Sequence, residues 1–131
     1  MATISTDIAQ QIDIIIRSAD SFNLQLQVKN SDNSNFDLTG YKIYFEIKST
    51  VSNELMKGFT NNTSSPYNES GSLYNISSIS LAEAENGVIS IAETADNMDF
   101  IKGTYKYTIK LESSAGNLKT WAFGKFKVND N

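Results

Sequence analysis

The chain has 131 residues with no cysteine, no histidine and one proline, and 11 Lys/Arg against 15 Asp/Glu give a net charge of −4. These counts exclude disulfides, thiolate chemistry, the Ser-His-Asp triad and histidine zinc sites. A mildly acidic chain with scattered basic residues has no electrostatic footprint for nucleic acid, so a binding or structural domain without catalysis is expected.

In chain order, Ile12–Ile16 reads as a short apolar strand, and Ile14-Ile15-Ile16 is too short to span a membrane. The start, Met-Ala-Thr-Ile-Ser-Thr-Asp, has neither the basic residues nor the apolar stretch of a secretory signal. The Asn-x-Ser/Thr sequons at Asn61, Asn62, Asn68 and Asn75 are therefore expected to stay unmodified. Phe22–Val28 alternates with Phe22, Leu24, Leu26 and Val28 on one face, as a half-buried antiparallel strand requires. A turn cluster, Asn30–Asn35, precedes Asp37-Leu-Thr-Gly40. In Tyr41–Lys48, Tyr41, Ile43, Phe45 and Ile47 share one face, which leaves Tyr44 outward.

Glu54–Phe59 is a weak, peripheral strand. Thr60–Asn75 holds Pro66 with many Asn and Ser and reads as a long loop insertion, the stretch most open to proteases. Ile76–Leu81 and Val88–Ala92 resume strand patterns around Ala82–Gly87, a helical turn closed by glycine. Thr94–Ile101 lacks alternation and suits a short helical turn. Thr104–Glu112 alternates with Tyr105, Tyr107, Ile109 and Leu111 inward, and Ser114–Asn117 turns into the last strand, Leu118–Val128. Seven to eight short strands of this spacing predict an all-β, immunoglobulin-like antiparallel β-sandwich. It forms one domain over 1–131 with its core at about 12–128 and the insertion at 60–75.

Several residues stand out. Gly103-Thr-Tyr-Lys-Tyr107 places Tyr105 at the corner where such sandwiches bond a tyrosine hydroxyl to upstream backbone, and puts Tyr107 in the core. Leu38 is the plug of its turn, with Gly40 free to take a positive φ. The last strand leaves two options. Strict alternation buries Ala122, Gly124, Phe126 and Val128 and turns Trp121 and Phe123 outward. A bulge at Gly124 turns Trp121 and Phe123 inward with Phe126 and Val128. Outward aromatics mark interfaces, so Tyr44, Trp121 and Phe123, with Tyr67 and Tyr74 of the insertion, are the candidate contact residues. Neither Asp96-Asn-Met-Asp99 nor Asp32/Asn33/Asn35 has the spacing of a calcium loop, so no metal and no cofactor is expected.

The pieces also come in a telling order: Ile12–Ile16, Arg17-Ser-Ala-Asp-Ser-Phe22, Asp37-Leu-Thr-Gly-Tyr41, Phe45-Glu-Ile-Lys48, Asn86-Gly-Val-Ile-Ser-Ile91, Gly103-Thr-Tyr-Lys-Tyr107 and Gly124-Lys-Phe-Lys-Val128. This order resembles the immunoglobulin-like N-terminal domain of tailed-phage baseplate upper proteins and related virion accessory proteins. The resemblance covers about residues 12–128. It implies a structural protein of the virion (tail, baseplate, neck or capsid decoration), assembled in the host cytoplasm, docking on other virion proteins and without catalytic residues. Both a monomer and a homo-oligomer fit. Ala19 stands where the family has glycine, the insertion is unusually long, and the sequence stops after its last strand where the baseplate proteins continue. The alternative function is a glycan-binding module that holds a particle to a host surface, with Trp121, Tyr44, Tyr67 and Tyr74 stacking on sugars.

Overall fold

The computed structural model describes residues 2–5, 9–18, 20–98, 100 and 102–129. Among them the chain forms β1 (Ala2–Ser5), β2 (Gln10–Gln11), β3 (Ile14–Arg17), β4 (Phe22–Lys29), β5 (Lys42–Ser49), β6 (Leu55–Thr60), β7 (Tyr74–Asn75), β8 (Ile79–Ser80), β9 (Val88–Glu93), β10 (Gly103–Glu112) and β11 (Leu118–Asn129). Two 3₁₀ turns, Ala84–Asn86 and Ala95–Met98, flank β9. Ala19, Asp99 and Ile101 lie outside the described residues. No helix among the described residues is long and apolar enough to cross a membrane.

One sheet runs β1-β4-β9-β8 and the other β2-β11-β10-β5-β6-β7, with β3 also on β11. These are the A-B-E-D and G-F-C-C′ orders of an immunoglobulin-like sandwich. The long ladders β4–β9, β10–β11, β5–β10 and β5–β6 are antiparallel as expected. The edges are not: β1 runs parallel to β4, β2 and β3 to β11, and β7 to β6. A parallel partner needs a connection of roughly a dozen residues or more. The 61–73 crossover supplies it for β7, and nearly the whole chain separates β3 from β11.

Alternation builds the inner faces. Phe22, Leu26 and Val28 of β4 are buried, as are Ile43, Phe45 and Ile47 of β5. Phe22 joins the two sheets: its ring lies edge-on to Phe45 at 6.0 Å and to Phe126 at 5.8 Å. Phe45 in turn stacks on Tyr107 at 5.1 Å. Such pairs add about 0.5–1.5 kcal/mol each beyond the area they bury. Leu38 is fully buried and its N–H donates to the Ala84 carbonyl at 2.9 Å. The Asp37 carboxylate accepts the Thr39 N–H at 2.9 Å, and Gly40 follows at φ +82°.

The last strand follows neither sequence-based option. Ile109 pairs with Ala122 and Lys110 with Thr120, so Trp121 itself is the extra residue of a bulge. Trp121 and Ala122 both turn inward, while Phe123 stays outside and 40 % exposed. Trp121 packs edge-on against Phe36 at 4.9 Å and lies 6.2 Å from Tyr41, closing one end of the sandwich. Gly124 is in register opposite Tyr107, with no bulge. A Cβ there would run into the Ile12 carbonyl, so a glycine is needed for the first strand to cross this point.

Candidate docking surface

The outer face of the β11–β10–β5 sheet divides into two halves. Over the first half the insertion folds back onto the sheet. Asn61 extends the β5 edge like a piece of backbone: its Oδ1 accepts the Ile43 N–H at 2.7 Å and its Nδ2 donates to the Tyr41 carbonyl at 3.1 Å. Thr60 adds a hydroxyl bond to the Ile43 carbonyl at 2.6 Å. Tyr67 then lies on Tyr44 at 5.3 Å and edge-on to Tyr74 at 4.8 Å. The ring of Tyr74 sits on Gly58, where any Cβ would collide with it.

Tyr44 therefore does not present an outward ring, contrary to the alternation reading. It points away from the core but is only 6 % exposed, because the insertion covers it. Its hydroxyl donates to Glu112 at 2.7 Å and accepts from Asn62 Nδ2 at 2.9 Å. The Tyr74 hydroxyl donates to Glu46, which also pairs with Lys110 at 3.3 Å. Burial raises the pKa of both phenols above the ordinary 10.0, and the Glu46 carboxylate adds to the effect at Tyr74. Tyr44, Tyr67 and Tyr74 thus form one half-enclosed cluster instead of three separate anchors. Trp121, 6 % exposed, is excluded from the surface altogether.

The second half of the face is open. Lys106 lies directly opposite Lys125 on β11 and Lys48 on β5, with Lys127 opposite Thr104. In the adjacent row Thr108 separates Phe123 from Glu46. Glu46, Lys48, Asn53, Lys106, Tyr107 and Thr108 line a small cleft of about 140 Å³. The Thr108 hydroxyl is buried with no hydrogen-bond partner. Phe123 is exposed, as strict alternation along the last strand expects, and it borders this basic row.

At the β6–β7 edge, a groove of about 660 Å³ is lined in part by Met56, Lys57, Leu73, Asn97, Phe100 and Tyr105. Behind it stands Glu93, 8 % exposed, whose carboxylate collects the Asn75 amide at 2.6 Å, the Asn97 amide at 2.8 Å, the Ser78 hydroxyl and the Thr94 N–H. Burial alone would raise its pKa. The bonds from Ser78, Asn97 and Thr94, with the nearby Lys57 charge, outweigh that and hold it below the ordinary 4.5. Glu93 escaped sequence reasoning because its donors come from four separated positions. Among the described residues no three His, Cys, Asp or Glu side chains gather as a metal site would require.

The hydroxyl found bonded to upstream backbone is that of Tyr107, which donates to the Ile12 carbonyl. Tyr105, the residue expected at that corner, packs its ring on Phe100 at 5.6 Å. Tyr107 is buried, Gly103 opens β10, and the Asp13 carboxylate accepts the Lys125 N–H at 3.0 Å beside them.

No family model and no curated protein matches the chain. Among solved structures it is similar to CopC from Methylosinus trichosporium OB3b, at 9 % identity over 91 % of this chain and 85 % of that one, with a TM-score of 0.47. It is similar to a chain in the complex of ICOS with ICOS-L and an anti ICOS-L VNAR domain, at 13 % identity, 94 % and 56 % coverage and TM-score 0.41. It is also similar to extracellular domains 3–5 of Drosophila OTK, at 17 % identity, 92 % and 33 % coverage and TM-score 0.36. The chain thus spans about half and one third of the latter two. The fold assignment rests on strand order and register.

Proposed function

We propose that this protein is a structural component of a phage virion that docks on neighbouring virion proteins and carries out no catalysis. The observation behind the reading is the divided outer face of the β11–β10–β5 sheet. The chain covers one half with its own insertion and leaves the other with an exposed Phe123 beside lysines that have no ion-pair partner among the described residues. An exposed aromatic anchor suits the core of a protein interface, and the lysines beside it suit the polar rim. The order of sequence motifs over residues 12–128 supplies the virion context. Mass spectrometry of purified particles tests the reading. A stoichiometric presence supports it, and absence from the particle removes it.

A second reading, glycan binding, is favoured by the groove at the β6–β7 edge, where Tyr74, Tyr105, Asn75 and Asn97 place rings and amides around one concavity. Trp121 and Tyr44 are buried and take no part in it. A glycan array with no hits removes it. A hit that Tyr105→Ala abolishes would favour it over protein docking.

A further inference from the structure

The row Lys125–Lys106–Lys48 runs across three strands in direct register, with Lys127 one pair further along β11. Directly opposed side chains on one sheet face have Cβ atoms about 4.5–5.5 Å apart, and like charges there destabilise the sheet. None of these four ammonium groups has an ion-pair partner among the described residues, whereas Lys110, one row away, is paired with Glu46. The nearby Asp13 carboxylate accepts the Lys125 backbone N–H. With these four set aside, the seven remaining basic residues face fifteen acidic ones, so the rest of the chain carries −8.

Part of that negative charge collects at the other end of the sandwich. Lys48 is near the end of β5, Lys106 near the start of antiparallel β10, and Lys125 near the end of β11. The Leu38–Ala84 bond instead stands before the start of β5. At about 3.4 Å per residue, the two ends of β5 are ~20 Å apart. Around that bond Asp37, Glu83 and Glu85 are all exposed, with Asp32 on the adjoining turn. Lys29, Lys42 and Lys119 also lie at this end, against those four carboxylates, and the Lys29 ammonium is bonded to the Asn33 carbonyl. Hydrogen bonds from Ser34 and Thr39 hold Asp32 and Asp37 below the usual carboxylate range, so both are charged at neutral pH.

We infer that the lysine row is the docking site for a second copy of this chain, which presents its Asp37/Glu83/Glu85 end. Complementary charge on opposite ends of one molecule favours a head-to-tail contact, and such contacts close into rings or continue as filaments. Phe123 borders the row and gives the charge contact an apolar neighbour. The contact requires no virion protein.

Light scattering on the purified chain tests this. At about 0.03 M salt the mass should exceed the 14.5 kDa protomer, and at about 0.5 M it should return to it, because exposed charge pairs are screened there. K106Q/K125Q and E83Q/E85Q neutralise exposed positions without reversing their charge, and circular dichroism checks that each still folds. Each variant alone should stay at protomer mass. An equimolar mixture should form a two-copy complex and stop, since each variant keeps the surface the other has lost. A parent that stays a protomer at low salt overturns the inference, as does a mixture that never associates. A protomer that binds polyglutamate also overturns it, and assigns the row to a foreign acidic partner.

Discussion

The Tyr107 hydroxyl donates to the Ile12 carbonyl across 95 residues of sequence, and Gly124 makes room for that same carbonyl. One phenol and one missing side chain thereby fasten the link between β2 and β3 to β10 and β11. Tyr107→Phe should lose about 0.5–1.5 kcal/mol, the net worth of one hydrogen bond. Gly124→Ala should lose more, because its Cβ meets backbone that has no alternative path. Urea unfolding of the two variants checks the order. Equal losses would show that the crossing is looser than it looks.

Glu93 sets an acid limit. Its folded pKa lies below the ordinary 4.5, so its stabilisation is complete above that value and is lost as the pH falls through the folded pKa. Melting temperatures measured downward from pH 6 should fall more steeply for the parent than for Glu93→Gln. The Gln variant should also be less stable at neutral pH, since it cannot accept as a charged group from Ser78, Asn75, Asn97 and the Thr94 N–H. Parallel pH profiles would remove this role.

Tyr44, Tyr74 and Tyr107 set an alkaline limit of opposite sign. Burial raises all three, Tyr107 to about 12, so the neutral phenols stabilise the fold fully below pH 10 and that contribution is lost as the pH climbs above it. Phenolate absorbance should show a late-titrating group of tyrosines that coincides with unfolding. Tyr107→Phe should remove one tyrosine from the late group.

The insertion is held by rings as much as by hydrogen bonds. Tyr67→Ala removes the ring between Tyr44 and Tyr74. Limited proteolysis within residues 60–75 should accelerate several-fold, while the melting temperature falls only modestly because Phe45 and its neighbours remain packed. If cleavage elsewhere rises equally, the insertion and the sandwich unfold together.

The lysine row makes a stabilising substitution easy to name. Lys106 faces a lysine on each side, so Lys106→Glu turns two repulsions into two attractions, each about 0.2–1 kcal/mol. At low salt its melting temperature should rise by about 1–4 °C, with the gain shrinking at high salt. A fall would mean that the lysines do not face one another.

Much of the sandwich was legible because period-2 burial is a local property. Phe22–Val28 and Tyr41–Lys48 each declared an inner face, and Asp37-Leu-Thr-Gly40 carried its own turn chemistry. The errors arose where a residue's fate depends on a distant segment. Alternation correctly sent Tyr44 away from the core, but nothing local says that Tyr67 covers it. The last strand's sequence allows either strict alternation or a bulge at Gly124; the bulge lies at Trp121, where Phe36 and Tyr41 offer that ring a site. Tyr105 and Tyr107 share a face, and the bond from Tyr107 depends on the path of Ile12, 95 residues away. The lysine row was invisible for a similar reason: Lys48, Lys106 and Lys125 become neighbours through register alone.

β11 lies inside its sheet, between β10 on one side and β2 and β3 on the other. On the ribosome, therefore, β2 and β3 must wait for nearly the last residues made. Until Leu118–Asn129 has emerged, Ile14–Arg17 lacks its ladder and β10 offers a bare edge, the kind of surface that recruits another chain. The sandwich can close only late in translation, and a chain released short of Gly124 would leave Ile14–Arg17 without a strand to pair with.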